Sequence, residues 1–201
     1  MDFAPSDEQE MIVDTVKAFV ERELVPHEDE VERRGDVPPE LVGQIRDRAL
    51  AAGIYAANMP AELGGGGLDN ATMAMVDRAF GWTQYALHYI VARPSNILQA
   101  CTGDQVDEYL LPTIRGDRVD CLAMSEPGAG SDIRGMTCRA EQDGDDYVVN
   151  GTKHFISHAD LADYTILFAA TGEEETSRGP KKLITSFLVA HDTPGLEVAP
   201  G

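Results

Sequence analysis

The sequence predicts an α+β protein with two domains, an all-α part over residues 1–118 followed by an all-β part over residues 119–201. Apolar residues recur at helical spacing through the first part, whereas the second part combines short β-rich runs with glycine turns. Helices that are grouped before strands, instead of alternating with them, favour separate helical and β domains. With 43% hydrophobic residues, the 201-residue chain has enough apolar material for a core.

The first helix is predicted by its N-terminal cap and by one apolar stripe. Ser6 followed by Gln9 is a capping-box pattern, and Ile12 and Val16 begin a run of apolar residues at helical spacing. Pro26 and the charged run after it are expected to disturb or end this helix, because proline cannot donate a helical hydrogen bond.

A second helix and a glycine-rich loop follow. Proline at its first turn places the start of the helix at Pro38-Pro39, and Gly53 is its expected end. The glycine run 64–67 cannot hold a helix, so we expect a loop there. Asp69 or Asn70 can cap the next helix.

Two more helices are expected before the β part, at residues 83–91 and 104–114. The first of them should end before Arg93-Pro94, a pair that is disfavoured in a helix. Core packing is the expected role of the aromatic residues in this region, Trp82, Tyr85 and Tyr89.

After Gly116 the pattern changes to short strands. Runs rich in apolar and β-branched residues predict strands at residues 119–124, 164–170 and 183–190. Asp143-Gly144 and Asn150-Gly151 are dipeptides typical of hairpin turns. A strand is expected at Lys153 to Ser157, and the polar stretch 171–182 is expected to be a surface loop.

The composition excludes several classes of function. A net charge of −19 and a pI near 4.4 repel nucleic acid and anionic membranes, so neither is expected as a partner. No run approaches the ~20 apolar residues of a membrane span, and the N-terminus lacks the features of a secretory signal. Cys101, Cys121 and Cys138 show no CxxC spacing, which indicates reduced thiols in a cytoplasmic protein. The five histidines are scattered, so no metal site is expected.

The most informative segment lies between Cys121 and Ser157. Its turn, residues 125–132, reads Ser-Glu-Pro-Gly-Ala-Gly-Ser-Asp. Gly128 and Gly130 lack Cβ atoms, which allows the backbone to approach a flat or phosphate-bearing ligand. Consecutive N–H groups in such a turn can also bind an anion. On turn chemistry alone, a plain glycine turn between two strands remains open as the alternative.

This segment resembles the signature of the acyl-CoA dehydrogenase family, in which an apolar run precedes [T/S]-E-P-x-A-G-S-D. Residues 150–157 resemble that family's N-G-x-K-x-[WF]-I-[TS] motif, and residues 60–68 resemble its P-E-x-G-G-x-G-L loop. Similar matches occur at 103–112 and 187–196, so the resemblance covers essentially the whole chain in the family's order. It implies a helical bundle followed by a β-barrel or β-sandwich domain, here incomplete.

The resemblance also implies FAD as the cofactor and an acyl-CoA thioester as the substrate. Flavin contacts are carried over to two segments of the β part, at Leu122, Ala123, Met124, Ser125, Gly130, Ser131, Phe155, Ile156 and Ser157. Ser131 would in addition contact the thioester end of the substrate. Phe155 stands where the family often has tryptophan, and Ser125 where threonine is commoner. Glu126 is expected to be structural, and Lys153 structural or exposed.

Members of this family carry a further C-terminal helical domain that supplies the catalytic glutamate. We therefore expect this chain to be an N-terminal fragment that contains no catalytic residue and is inactive alone. The complete protein is expected to catalyse α,β-dehydrogenation in fatty-acid β-oxidation, in the cytoplasm, as a homodimer or homotetramer. Electron-transfer flavoprotein is the expected electron acceptor. Two alternatives remain open, a non-catalytic partner or binding subunit of the same fold, and a flavin oxidase or hydroxylase.

Overall fold

The computed structural model describes residues 4–92, 94–177 and 179–199. The chain divides into two compact units, Met1–Asp117 and Arg118–Gly201. The first unit is helical and the second contains a mixed sheet, which confirms the predicted fold class. Arg93, which the sequence places just beyond a helix end, lies outside the described residues.

The first unit contains six α-helices within the described residues. They are α1 (Asp7–Phe19), α2 (Glu28–Arg34), α3 (Pro39–Ala51), α4 (Asn70–Phe80), α5 (Tyr85–Val91) and α6 (Leu111–Ile114). Two π-helical segments, Val20–Leu24 and Val106–Leu110, extend α1 and precede α6. None of the described helices is long and apolar enough to cross a membrane.

Helix α1 begins as its sequence predicts. The Ser6 Oγ accepts a hydrogen bond from the Gln9 N–H at 3.2 Å, and the Gln9 Oε1 accepts one from the Ser6 N–H at 3.0 Å. The regular helix gives way to the π-helical turn and then to a 3₁₀ turn, Val25–His27, which contains Pro26. Since proline lacks the N–H that an α-helix needs, the predicted disturbance at Pro26 is confirmed.

The glycine-rich loop is held by its own chain. The Gly65 N–H donates to the Pro60 carbonyl and the Gly66 N–H donates to the Ala56 carbonyl, each at 3.0 Å. A Cβ on Gly65 would collide with the Met59 carbonyl. Close backbone packing therefore requires the glycine here, and the predicted loop is confirmed.

The core of the helical unit is built from the inward faces of α1, α3, α4 and α5. Fully buried side chains include Val16, Val20, Leu24, Ile45, Val76 and Leu87. The expectation that Trp82 and Tyr85 are core residues is wrong, because they are 76% and 61% exposed. The buried aromatic position at the end of α4 is taken by Phe80, whose ring stacks on His88 with centroids 5.2 Å apart.

The second unit is built on one five-stranded mixed sheet. Its strands are β1 (Asp120–Ala123), β2 (Arg139–Asp143), β3 (Asp146–Asn150), β4 (Tyr164–Thr176) and β5 (Gly179–Ala190). Strand β4 is central, because it pairs in parallel with β1 and β2 and antiparallel with β5. Strand β3 pairs with β2 through the turn at Gly144, whose φ of 64° suits the predicted hairpin.

Three expectations for the β part are wrong. Most of the stretch 171–182 is not a loop, because β4 continues to Thr176 and β5 begins at Gly179, and few of these strand residues have buried side chains. Polar cross-strand pairs support that hairpin, including Glu174 with Lys181 at 2.8 Å. Asn150-Gly151 is not a hairpin turn, since the chain leaves β3 there, and residues 153–157 are irregular instead of a strand.

Candidate functional site

Strand β1 leads into the first group of predicted flavin contacts. Cys121 and Ala123 are buried, whereas Leu122 between them is 40% exposed, because alternate strand residues face opposite sides of the sheet. Met124 and Ser125 continue the chain beyond β1 and are half-buried. Leu122 and the two residues after β1 therefore present surface away from the core.

The second predicted segment lies against the first. The His154 N–H donates to the Ser125 carbonyl at 2.9 Å, and the Lys153 Nζ donates to the Met124 carbonyl at 3.1 Å. The structure thus brings together two parts of the chain that are almost thirty residues apart. We call Leu122 to Ser125 and Phe155 to Ser157 together the platform.

Phe155 is the most unusual residue of the platform. Its side chain is 85% exposed, and its backbone has a φ of 57°. A bulky residue in the left-handed region is strained by roughly 1–3 kcal/mol, so the surrounding structure must enforce the conformation. The ring stacks on His154 with centroids 3.7 Å apart. An exposed aromatic face held in a strained conformation suits stacking on a planar ligand better than core packing.

The glycine turn closes on itself. The Glu126 N–H donates to the Ala129 carbonyl at 2.9 Å, and the Ala129 N–H returns a bond to the Glu126 carbonyl at 3.2 Å. Gly128 and Gly130 have negative φ, and a Cβ on either would meet no described atom outside its chain neighbours within 4 Å. Neither backbone conformation nor packing within the described chain requires glycine at these positions. The open space suits close approach of a ligand.

The remaining predicted contacts are on the surface. Ser131 and Ser157 are exposed, and Ile156 is half-buried. Beyond Ser131, the Asp132 carboxylate accepts a hydrogen bond from the Arg134 N–H at 3.2 Å. This bond fixes the short 3₁₀ turn that follows, Ile133–Gly135.

Below the turn, Glu126 organises a buried polar network. Its Oε2 accepts hydrogen bonds from the Thr137 N–H at 2.6 Å and the Thr137 hydroxyl at 2.8 Å, and its Oε1 accepts one from the Cys138 N–H at 3.0 Å. The Lys153 Nζ lies 2.9 Å from the same Oε1. Burial alone raises the pKa of Glu126, but these hydrogen bonds outweigh burial and lower the pKa from 4.5 to about 2.

Glu126 has the structural role expected of it, and of the two roles expected for Lys153, structural or exposed, the structure shows the structural one. The Lys153 side chain is only 7% exposed and bonds to both Glu126 and the Met124 carbonyl. The available signal was the pairing of one acid and one lysine within two motifs that contain almost no other charge. Charged residues in such apolar surroundings are paired when they are buried.

Gly151 explains how the second segment leaves β3. A Cβ at this position would lie 2.6 Å from both the Cα and the Cβ of Cys138. Only glycine permits this close crossing of two backbones. The crossing directs residues 152–157 towards the end of β1, where the Ser125 carbonyl receives the His154 N–H.

Within the part of the chain that the structure describes, no group of three or more His, Cys, Asp or Glu residues could hold a metal ion. His191 instead lies 2.9 Å from the Thr165 hydroxyl, which in turn lies 3.2 Å from the Cys121 Sγ. Cys121 and Cys138 are buried and Cys101 is half-buried, and no disulfide joins them within the described part of the chain.

Comparison with known proteins identifies this architecture. The profile described as "Acyl-CoA dehydrogenase, N-terminal domain" matches residues 6–117, and that described as "Acyl-CoA dehydrogenase, middle domain" matches residues 121–201. Mouse mitochondrial short-chain specific acyl-CoA dehydrogenase is 32% identical over 93% of this chain and 45% of its own length. A subunit of the caffeyl-CoA reductase–Etf complex of Acetobacterium woodii is 31% identical over 96% of this chain and 50% of its own length.

A solved structure has the same fold. The glutaryl-CoA dehydrogenase of Mycobacterium smegmatis in complex with FADH2 superposes with a TM-score of 0.79 and 26% identity, over 95% of this chain and 47% of that one. The chain spans about half the length of the relatives it matches. Since the two profiles together cover nearly all of its residues, the chain belongs to the acyl-CoA dehydrogenase family.

Proposed function

We propose that this chain provides the flavin-facing platform of an FAD-dependent enzyme that oxidises the α,β carbon–carbon bond of an acyl-CoA thioester. The proposal rests on the observation that Met124–Ser125 and Phe155–Ser157 lie together, beside a turn that has open space at Gly128 and Gly130. A planar isoalloxazine ring needs an aromatic or apolar face, and its polar edge needs backbone donors and hydroxyl groups. The platform offers both. The FADH2 complex of the Mycobacterium smegmatis relative supports the choice of cofactor.

Each predicted flavin contact receives a role in this proposal. Leu122, Met124, Phe155 and the half-buried Ile156 contribute apolar surface, whereas Ala123 is buried and would take part only through its backbone. The Ser125 and Ser157 hydroxyls bond to the flavin's polar edge. Gly130 allows close approach, while the exposed Ser131 contacts both the cofactor and the thioester. Bound FAD would accept the hydride that leaves the β-carbon, and donors near its polar edge favour the reduced form.

We assign no catalytic base to this chain. Glu126 is a carboxylate of the glycine turn, but Lys153, Thr137 and Cys138 already occupy its oxygens. With a pKa of about 2, it is also a weak proton acceptor at neutral pH. We therefore expect no reduction of FAD when an acyl-CoA is added to this chain alone. Bleaching of the flavin absorbance under those conditions would contradict this assignment.

Titration of the purified chain with FAD tests the platform itself. We expect saturable binding that changes the flavin's fluorescence and absorbance. Gly130→Val should weaken that binding at least tenfold without lowering the melting temperature, because the added side chain enters open space. Gly43→Val, within α3 of the other unit, is the control for an unrelated substitution. Unchanged flavin spectra at saturating protein would refute the platform.

Two further parts of the proposal concern the complete enzyme. We propose that it is a homodimer or homotetramer that acts in fatty-acid β-oxidation in the cytoplasm, where cysteines without disulfide bonds are usual. Residues 1–118 and 119–201 would be its first two domains. We also propose electron-transfer flavoprotein as its electron acceptor, since one relative is a subunit of a reductase–Etf complex. Rapid electron transfer to oxygen instead would indicate an oxidase or hydroxylase.

The same relative favours a second candidate, reduction of an α,β-unsaturated thioester. Both directions use one flavin and one carbon–carbon bond, so the platform serves either. Co-expression with the C-terminal half of a relative would supply the remaining domain for a test. Bleaching of oxidised flavin by a saturated thioester favours the dehydrogenase, whereas return of colour to reduced flavin on adding an unsaturated one favours the reductase.

A further inference from the structure

We propose that Glu126 and Lys153 are positioning residues that hold the Met124–Ser125 backbone in a fixed orientation for the ligand of the platform. This inference rests on the proposed flavin function for the identity of that ligand. The pair itself is defined by geometry, since the Lys153 Nζ lies 2.9 Å from the Glu126 Oε1 in the interior of the β unit.

The burial of this pair calls for an explanation other than stability. The side chains of Glu126 and Lys153 are only 2% and 7% exposed. Removing two charges from water costs about as much as their attraction returns, so an apolar pair of similar size often serves equally well. A buried ion pair is therefore better explained by what its hydrogen bonds hold in place.

Those hydrogen bonds join three separate segments. Glu126 belongs to the glycine turn, its partners Thr137 and Cys138 lead into β2, and Lys153 precedes Phe155. Lys153 also donates to the Met124 carbonyl at 3.1 Å, which brings the end of β1 into the same network. Loss of the Lys153 ammonium would remove the side-chain bond that joins the end of β1 to the loop that carries Phe155, and loss of the Glu126 charge would remove the partner that holds this ammonium in place.

The consequence for the platform follows from peptide geometry. The Met124 carbonyl and the Ser125 N–H belong to one planar unit and point in opposite directions. Because Lys153 binds that carbonyl, the Ser125 N–H is directed away from the buried network. The next carbonyl, that of Ser125, is bound by the His154 N–H at 2.9 Å. Two consecutive peptide planes are thus fixed before any ligand arrives, which is the preorganisation that a binding site needs.

Three variants separate positioning from a merely structural role. Lys153→Met removes the ammonium group but keeps an apolar stem, and it leaves the Glu126 carboxylate buried without its partner. The double variant Glu126→Gln/Lys153→Met removes both charges and should recover most of the melting temperature lost by the single variant. Lys181→Met is the matched control, because Lys181 pairs with Glu174 at 2.8 Å in the same unit but is 42% exposed.

The decisive measurement needs no flavin. Amide hydrogen exchange of His154, compared with the amides of central strand β4 in the same sample, reports local opening apart from global stability. We expect the ratio of the His154 exchange rate to the exchange rate of the β4 amides to rise about tenfold or more in Lys153→Met and in the double variant. In Lys181→Met this ratio should stay unchanged. FAD affinity should fall by a similar factor in the first two. A double variant with the exchange ratio of the unaltered chain would overturn the inference.

The outcomes also separate this inference from the proposed function. If the unaltered chain binds no FAD, the flavin platform is refuted, while the exchange ratio still decides whether the pair positions the backbone. If FAD binds equally well to the unaltered chain and the double variant, the positioning role is refuted although the flavin function stands. Should Lys153→Met fail to fold, the uncharged double variant carries the test.

Discussion

Acid should weaken the β unit through one identifiable carboxylate. The pKa of Glu126 falls from 4.5 to about 2 on folding, because hydrogen bonds from Thr137, Lys153 and Cys138 outweigh the effect of burial. A difference of this size corresponds to about 3 kcal/mol of folding stability. Since the folded pKa is the lower one, this stability is present above pH 4.5 and is lost as the pH falls towards 2. At pH 3, about 2 kcal/mol of it should already be gone.

Glu126→Gln isolates this contribution from those of the other acidic residues. Urea unfolding of the unaltered chain and of the variant, measured from pH 7 to pH 3, gives the difference in free energy of unfolding at each pH. We expect the difference to be largest at pH 7 and to shrink by about 2 kcal/mol at pH 3. Glu174→Gln, at an exposed ion pair, should differ from the unaltered chain by no more than about 1 kcal/mol at pH 7. A Glu126→Gln difference that does not change with pH would refute the reasoning.

Three further substitutions test the backbone geometry of the site. Gly151→Ala should lower the free energy of unfolding by about 1–3 kcal/mol in urea, because its Cβ would lie 2.6 Å from the Cys138 backbone. Gly43→Ala, within α3, is the control and should not destabilise the chain. Equal effects of the two substitutions would contradict the close crossing of the Gly151 and Cys138 backbones. Gly128→Ala should leave the melting temperature unchanged but lower FAD affinity, and an unaltered affinity would remove Gly128 from the ligand contact. Phe155→Asn should stabilise the chain by about 1 kcal/mol, because asparagine tolerates positive φ, while FAD titration should show weaker binding. A destabilised Phe155→Asn would show that the ring contributes to folding instead.

The helical part was largely predictable because its signals are local. The capping box at Ser6, the proline at the start of α3 and the cap at Asp69 each act within one turn of the chain. Helix α2 was missed because the residues after Pro26 are mostly charged, and only Val31 among them is fully buried. A helix with so narrow an apolar face gives little periodicity to detect.

The β part was less predictable because its pairing is not local. Residues 171–182 look like a loop, since polarity and consecutive glutamates are poor strand signals. Most of them form strands because β4 and β5 pair as far as Thr176 and Gly179, with a Thr171–Thr185 hydroxyl contact at 2.9 Å and the Glu174–Lys181 ion pair. A single sequence cannot show which residues will face each other across a hairpin.

In the site, too, features set by neighbouring residues could be predicted from the sequence, whereas contacts between separate motifs could not. The glycine turn and the Phe155 motif could be read from the sequence, and the structure places them side by side. The positive φ of Phe155 could not be read, because nothing in its neighbours demands the left-handed region. The bond between Lys153 and the Met124 carbonyl could not be read either, since it joins residues in separate motifs.

These observations assign different tasks to the exposed and the buried parts of the site. Phe155 and the glycine turn present exposed surface, and the contacts described for them are local, because the ring stacks on the adjacent His154 and the turn bonds to itself. The rigid part is the buried network, in which Glu126 connects the turn to β2 and Lys153 connects the end of β1 to the loop before Phe155. A platform can tolerate strain at Phe155 only if its anchors are stable at the working pH. The low pKa of Glu126 meets that condition, because the carboxylate stays ionised and paired throughout the neutral range.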